Sequence, residues 1–369
     1  MLLFKISSNR SGIPLIKKQP KSEQIIITSA FTKGPSIFFP LEAILHDGYY
    51  EIKRNEMQEG RFSRQTKPFP GVGRTVFTVL VHPGLFIRGI RCVSIVLRKF
   101  FLFQYRAALF PRLPVSIVEH SLDDHIPFNP SFVKIYLDFS AFWIRIVGFL
   151  CIGYGKKGRK LAAEFISSIT ELYNFAFQVY KKNLSTTNRP CYKKGFHFRL
   201  IHLVDPHLMC IPSLHVMLVV RSYTAFNYYL GVLGEEKTLS SMAERVFNGA
   251  LAITEAILYV KQHSINCIAA ALYAMNRFDP AFFGPKEAEK FVRCLFTVKE
   301  PKDIPPEYAP FYSGPLVNPD HAAPLREHIV SLFRLFLERN SADWTAPILE
   351  FLKKHPLSGR KKEIENNFK

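Results

Sequence analysis

The chain has 369 residues, of which 48% are hydrophobic and 34 are Phe, and it carries a formal net charge of +19. This length and apolar content allow a sizeable buried core, and the positive charge makes nucleic acid, anionic lipid headgroups and phosphorylated molecules the first partners to consider. Six scattered cysteines without a CxxC pair argue against a zinc ribbon and a disulfide-rich secreted module, so we expect reduced thiols.

The first 74 residues are basic and rich in Ser, Pro and Gly, which predicts a poorly ordered arm. The apolar start "MLLF" is too short for a signal peptide, so none is expected. From residue 76 to about 112 the chain is apolar but interrupted by Arg and Lys. That pattern fits a core helix with a basic solvent face, and it equally fits a helix on an anionic membrane surface.

Three apolar runs, at 132–155, 214–234 and 250–275, reach the ~20 residues that a membrane-spanning helix needs. Each contains charged residues, among them Asp138 with Arg145 in the first run and Arg221 in the second. Charged groups inside a span are unfavourable. Composition therefore leaves a membrane-embedded bundle and a soluble helical bundle equally open.

Helical periodicity is clearest at 155–182, where apolar residues recur every three or four positions and the stretch ends on two lysines that suit a helix C-terminus. A loop-like region follows, and helical patterns resume at Ser213 and run, with a break near "GEEKT", to about Met275. After Asp279 come Pro-rich connections and amphipathic helices. The sequence therefore predicts an all-α protein.

The stretch "KNLSTTNRP" follows the predicted helix and places Lys182 and Arg189 on either side of small polar residues. Small residues let the backbone bend close to an anion, and the planar guanidinium of arginine can bind two oxygens of a phosphate at once. A basic surface loop after a helix is the simpler interpretation of this stretch alone.

Two further stretches carry candidate residues. In "IPSLHV", Ser213 fits a helix N-cap, and the free N–H groups of a helix start attract anions near His215. In "YVKQHSINCIAAAL", His263 follows Lys261 and precedes an Ala-rich helix. Taken alone, the first stretch is a capped helix with a core-facing histidine. The second, taken alone, is a polar helix junction.

In this order, K-x6-RP, PSxH and a lone His before an apolar helix resemble the signature of the type 2 phosphatidic acid phosphatase superfamily, which includes bacterial acid phosphatases and vanadium haloperoxidases. The forms "PSLH" and "KQH" look most like its lipid phosphatase and phospholipid headgroup transferase branches. The match covers about 182–271, under a third of the chain.

The resemblance implies a phosphomonoesterase or phosphotransferase that works through a phosphohistidine. His263 would attack phosphorus, and Lys182, Arg189 and Ser213 would hold the phosphoryl oxygens as charge moves in the transition state. His215 would protonate the leaving alcohol and later activate water.

This sequence departs from the family pattern in the second and third motifs. Leu214 stands where Gly is commonest, and Ala256 and Ile257 occupy the positions of a Ser-Arg pair. We consider Lys261 as a replacement for the lost cation. Cys267 stands where the family has the Asp that orients the nucleophilic histidine, and we expect it on the same helix face as His263, four residues away. A thiol is a weak acceptor, which leaves an unusual active enzyme and an inactive relative both open.

The resemblance also implies the architecture. We expect an all-α helical bundle of this superfamily at 75–279, between the basic arm at 1–74 and an amphipathic helical extension at 280–369. The substrate would bear a phosphate, as in a lipid, at a membrane. No cofactor, metal or nucleic-acid partner is expected, and the sequence does not indicate the oligomeric state.

Three rivals come from other classes of protein. A metal site could use His197, His202, Asp205 and His207, whose spacing matches no known motif. A nucleic-acid binder fits the net charge, but the basic residues are dispersed. A catalytically silent binder of phosphate-bearing lipid headgroups would keep Lys182, Arg189 and Ser213 without efficient turnover.

Overall fold

The computed structural model describes residues 69–190, 192, 194–339 and 341–357. Most of them are helical, which confirms the all-α class expected from the sequence. The arm predicted at 1–74 lies outside the described residues except for its last six positions, of which 72–74 already belong to the first helix.

The α-helices, in chain order, are α1 (Val72–Val81), α2 (Pro83–Ile95), α3 (Phe103–Leu109), α4 (Val133–Leu137), α5 (Phe139–Gly153), α6 (Gly155–Tyr180), α7 (Phe196–Val204), α8 (Leu214–Leu233), α9 (Ser240–Tyr259), α10 (Ile265–Phe278), α11 (Pro285–Arg293), α12 (Pro319–Glu338) and α13 (Ala346–Lys353). A π-helical segment, Val96–Leu102, joins α2 to α3. Short 3-10 turns lie at Ser121–His125, Pro130–Phe132 and Pro301–Asp303. Two short strands are β1 (Val115–Ile117) and β2 (Leu184–Thr186).

Helix α6 confirms the clearest periodic pattern of the sequence. Its residues Leu161, Phe165, Ile169, Leu172 and Ala176 are all buried. They form the inner stripe of an amphipathic helix that packs against α5, α2 and α8. Burial of each Leu, Ile or Phe side chain in this stripe contributes about 1.5–3 kcal/mol to the free energy of folding. The stripe therefore stabilises the packing of three other helices against α6.

Helices α8, α9 and α10 form the centre of the protein, and most of their residues are buried. Helix α12 packs against α10, and its stripe of Leu325, Ile329 and Phe333 is buried there. One hydrophobic core extends from Leu85 in α2 to Leu352 in α13. The helices after residue 280 therefore share the core of the preceding bundle.

The two strands are parallel and pair Ser116 with Ser185. The C-terminal segment adds to this pair, because the Ile117 N–H donates to the His355 carbonyl at 3.0 Å and the Leu357 N–H donates to the Val115 carbonyl at 2.9 Å. Strand β1 therefore lies between the C-terminal segment and β2, the strand of the first motif stretch.

One expectation about local structure is wrong, and one of the three candidate spans is divided. The region after Pro190 was expected to be a loop, but it contains α7, which buries Phe198 and Ile201 on one face and so gains stability from packing. The apolar run at 250–275 is not one helix, since α9 ends at Tyr259 and α10 begins at Ile265. That break makes the third candidate span two separate core helices.

In the described part of the chain, one helical stretch, Pro130–Gly153, is long and apolar enough to cross a membrane. Half of its most apolar window is buried inside the protein. The pair Val72–Val81 and Pro83–Leu109 would count as a second stretch if both halves form one span, but the chain bends there by 114°.

The close approach of α5 and α6 gives a test of this packing. A methyl group at Gly158 would lie 1.9 Å from the Leu150 carbonyl oxygen, so Gly158→Ala must push the two helices apart. We expect the free energy of unfolding to fall by about 1–3 kcal/mol, measured from the midpoint of chemical denaturation. Gly153→Ala is the matched control, because nothing lies within 4 Å of its added methyl group. Equal stability of the two variants would contradict this packing.

Candidate functional site

Two helix N-termini meet at the second and third motif stretches. Ser213 caps α8 as the sequence predicts, with its Oγ accepting from the Val216 N–H, and Ser264 caps α10 in the same way through Asn266. The Ser213 N–H donates to the carbonyl of Cys267 in α10 at 3.3 Å. The positive ends of two helix dipoles therefore lie side by side, an arrangement that favours anions.

The two motif histidines are in direct contact at this junction. The Nδ1 of His215 lies 3.1 Å from the Nε2 of His263, and the Ser213 Oγ lies 3.4 Å from the same Nε2. Both histidines are only 8% exposed. The structure thus brings together three candidate residues that the sequence separates by up to 50 positions, and it turns the Nε2 of His263 toward the other two.

Arg189 from the first motif stretch joins this cluster through the neighbours of the histidines. Its Nη1 donates to the Gln262 side chain at 3.3 Å, and its Nη2 donates to the Asp205 carbonyl at 3.2 Å. Gln262 directly precedes His263. A permanent cation is therefore fixed beside the loop that carries the candidate nucleophile.

Lys182 is not brought to the histidines by a contact of its own. Its Nζ lies 3.1 Å from the Asp343 carboxylate and donates to the Thr345 hydroxyl at 3.0 Å, both in the segment between α12 and α13. The Thr345 hydroxyl and N–H, with Lys182, lower the pKa of Asp343 to about 2. Lys182 of the first motif thus forms an ion pair with an exposed acidic residue between α12 and α13.

The small residues between Lys182 and Arg189 hold the loop in place. The Ser185 Oγ accepts from the Ile211 N–H at 2.8 Å, and the Thr187 Oγ1 lies 2.7 Å from the Nε2 of the buried His207. These bonds attach the first motif stretch to the segment that leads into Ser213. Their side chains therefore determine the spacing between the first and second motifs.

Lys261 and Cys267 have surroundings that the sequence did not indicate. Lys261 donates to the Asp123 carbonyl at 2.7 Å, away from the imidazoles. His263 precedes the Ser264 cap and is not helical, so the expectation that it shares a helix face with Cys267 is wrong. The Cys267 Sγ instead accepts from the Ser264 N–H at 3.4 Å, completing a capping box.

The other ring nitrogen of His263 lacks an orienting partner. Its Nδ1 is buried, and no described group meets hydrogen-bond geometry with it, although the Cys210 backbone lies near enough to the ring to raise its pKa. In a nucleophilic histidine an acceptor on this nitrogen fixes the tautomer and strengthens the attacking nitrogen. No described side chain therefore takes the orienting role that the resemblance gives to an Asp at position 267.

Asp123 supports the His263 loop, and sequence reasoning missed it. Its carboxylate accepts from the Ile265 N–H at 3.0 Å and the His120 N–H at 2.9 Å. Burial raises its pKa, while the hydrogen bond with Ser264 and the charge of Lys261 act in the opposite direction. "SLDDH" lies more than 50 residues before the first motif, so no spacing rule could have indicated it.

Burial keeps the histidines of the cluster neutral. It lowers the pKa of His215 to about 4, against a smaller opposing effect of Asp205. It lowers the pKa of His263 well below its usual value, with His215 adding to the effect and the Cys210 backbone opposing it. One imidazole therefore donates and the other accepts in their contact, and neither carries a charge before a ligand binds.

The described residues include no group of three or more His, Cys, Asp or Glu side chains placed to hold a metal ion. Of the four residues considered for such a site, His197 and His202 lie on α7. The His207 ring is buried against Thr187 and Cys210. The backbone N–H of His207 donates to the Asp205 carboxylate.

No family model, no curated protein and no solved structure matches this chain.

The neutral buried histidines predict acid sensitivity. The unfolded chain binds protons on His215 below about pH 6.5, whereas the folded chain does so only near pH 4, so stability falls as the pH drops through 6.5. For this one histidine we expect a loss of about 2 kcal/mol between about pH 7 and pH 5. Thermal unfolding over this range should show a shallower pH dependence for His215→Asn than for the wild type.

His125→Asn, which replaces an exposed histidine outside the cluster, is the control. Identical slopes in all three proteins would show that His215 is not held neutral by burial.

Proposed function

We propose that the chain is a phosphomonoesterase or phosphotransferase that acts on a lipid phosphate through a phosphohistidine at His263. One observation carries this proposal: the Ser213 Oγ and the His215 Nδ1 both face the Nε2 of His263, at the junction of two helix N-termini. This is the arrangement that the resemblance to the type 2 phosphatidic acid phosphatase superfamily implies for its second and third motifs.

In the proposed reaction, the Nε2 lone pair of His263 attacks phosphorus, and the bond from phosphorus to the ester oxygen breaks. His215 gives its proton to the departing alkoxide, and later takes a proton from the water that attacks the phosphohistidine and releases inorganic phosphate. Arg189, the Ser213 hydroxyl and the helix N-termini would stabilise the phosphoryl oxygens. The negative charge of a bound phosphate favours the protonated form of His215, which burial disfavours in the empty site.

The imidazoles touch each other, so a phosphate can reach Nε2 only after they separate. Opening of the His263 loop relative to the start of α8 is therefore part of the proposal. The contacts of Gln262 with Arg189 and of Lys261 with the Asp123 carbonyl are the ones that such a movement would change.

A catalytically silent protein that binds phosphate-bearing lipid headgroups is the second candidate. It is favoured by the unpartnered Nδ1 of His263 and by the attachment of Lys182 to Asp343. Loss of the orienting carboxylate in the serine protease triad lowers turnover by about 10⁴-fold. A silent binder would retain the anion site without the step at His263.

Phosphate release separates the two candidates. We expect His263→Ala to reduce release from phosphatidic acid in detergent micelles and from the soluble ester p-nitrophenyl phosphate by about 10⁴-fold or more. His355→Ala, outside the site, should retain full activity. Equal release by the wild type and His263→Ala would exclude an enzymatic role for this histidine.

His215→Asn tests the proton donor with two leaving groups. Because p-nitrophenolate leaves without protonation, its ester should lose less activity than an alkyl phosphate. An equal loss with both would contradict the assignment of His215 as the acid. Trapping of an acid-labile phosphoryl group on the wild type, absent in His263→Ala, reports the intermediate directly.

The pair of Lys182 and Asp343 makes a further prediction. If Lys182 belongs to the anion site, Asp343→Asn frees its charge, and we expect inorganic phosphate to bind about fivefold more tightly. Isothermal titration calorimetry measures this affinity. Glu350→Gln is the matched control, since it removes another exposed ion pair, that with Arg339. Unchanged affinity in both Asp343→Asn and Lys182→Ala would exclude Lys182 from the anion site.

A further inference from the structure

Helices α1 to α3 and the segment that joins them form a uniformly basic surface. Residues 72–110 contain six Lys and Arg and no Asp or Glu, and no acidic residue occurs anywhere between Glu59 and Glu119. Arg74, Arg88, Arg98 and Arg106 are exposed. The exposed acidic group that faces this surface from a neighbouring helix is Glu171 of α6, 3.6 Å from Arg91.

The same helices expose large apolar side chains between the cations. Ile87 is 67% exposed, Ile90 53%, Val93 57% and Leu102 61%. Since α1 packs on α5 and α2 packs on α6 through their other faces, these side chains take no part in the core. Scattered exposed apolar residues are normal, but a continuous set along two successive helices marks an interaction surface.

Helix α7 continues this surface toward the candidate site. Phe196 is 70% exposed and Leu203 is 73% exposed, and the Tyr105 hydroxyl of α3 donates to the Leu203 carbonyl. Two residues after Leu203, the Asp205 carbonyl accepts from Arg189. The apolar and basic surface thus extends to within two residues of Asp205, whose carbonyl binds the cation of the site.

We propose that the outer faces of α1–α3 and α7 form a docking surface that inserts shallowly into an anionic lipid layer. Apolar side chains beside arginines are the composition of helices that lie in the membrane interface, where the side chains enter the acyl region and the cations remain among the headgroups. This inference rests on the part of the proposed function that places the protein at a membrane. It does not depend on the phosphoryl transfer at His263.

Charge distinguishes a lipid layer from the other occupants of this surface. A second copy would bring two basic surfaces together, which is unfavourable. The preceding residues 1–68 contain eleven Lys and Arg and six Asp and Glu, a net charge of +5, so they do not complement it either. An anionic layer offers both an apolar interior and negative headgroups, which satisfies both properties of the surface.

Flotation of the full chain with vesicles tests the docking surface. We expect binding to vesicles of phosphatidylcholine mixed with phosphatidylserine, weaker binding to phosphatidylcholine alone, and release by salt. The double variant Ile87→Ser, Ile90→Ser should bind about a hundredfold more weakly. Arg88→Gln and Arg98→Gln should each lower binding to the anionic vesicles by about fivefold.

Leu335→Ser is the matched control, since Leu335 is 44% exposed on α12, away from this surface, and it should bind as the wild type does. Absence of wild-type binding, an equal effect of Leu335→Ser, or full binding by the double variant would overturn the inference. So would a dimer that the double variant converts to a monomer in the absence of vesicles.

Hydrolysis of p-nitrophenyl phosphate by the same variants separates this inference from the proposed function. Unchanged hydrolysis with lost vesicle binding supports the docking surface. Absence of hydrolysis in the wild type together with selective vesicle binding supports the surface while contradicting the enzymatic role.

Discussion

The starts of α8 and α10 lie side by side, and this junction brings the two histidines into contact. The rest of the site is arranged around it. Each helix begins at a serine that caps it, and the cap of α8 donates its own N–H to a carbonyl in the first turn of α10. Because both helices are buried along most of their length, movement of either helix start would disturb the core, so the opening that the proposed reaction requires falls to the loop at 260–263. Helix packing therefore determines the positions of His215 and His263 and brings their side chains into contact.

The same junction produces opposing electrostatic effects. Burial disfavours charge on either imidazole, whereas the helix starts and Arg189 favour an anion between them. Under the proposed function, a phosphate would bring the negative charge that favours a protonated His215, so its binding would be coupled to proton uptake.

The sequence predicts those features that depend on local rules. The cap at Ser213, the buried stripe of α6 and the all-α class follow from short-range patterns that tertiary contacts then reinforce. The direction of Lys182 does not, because its partner Asp343 lies 161 positions away in a segment without any motif. The role expected for Cys267 rested on a continuous helix, and the single turn before Ser264 removes that geometry. Helix α7 was missed because a Gly- and Lys-rich lead and several histidines obscure its amphipathic face.

The short parallel pair has a consequence for how the protein is made. Strand β2 lies in the first motif stretch, β1 precedes it by almost 70 residues, and the segment at His355–Leu357 pairs with the other edge of β1. The ribosome therefore synthesises both helices of the histidine junction well before it supplies the segment that covers β1. During synthesis the bundle passes through a stage in which α8 and α10 are complete while the outer edge of β1 is still unpaired.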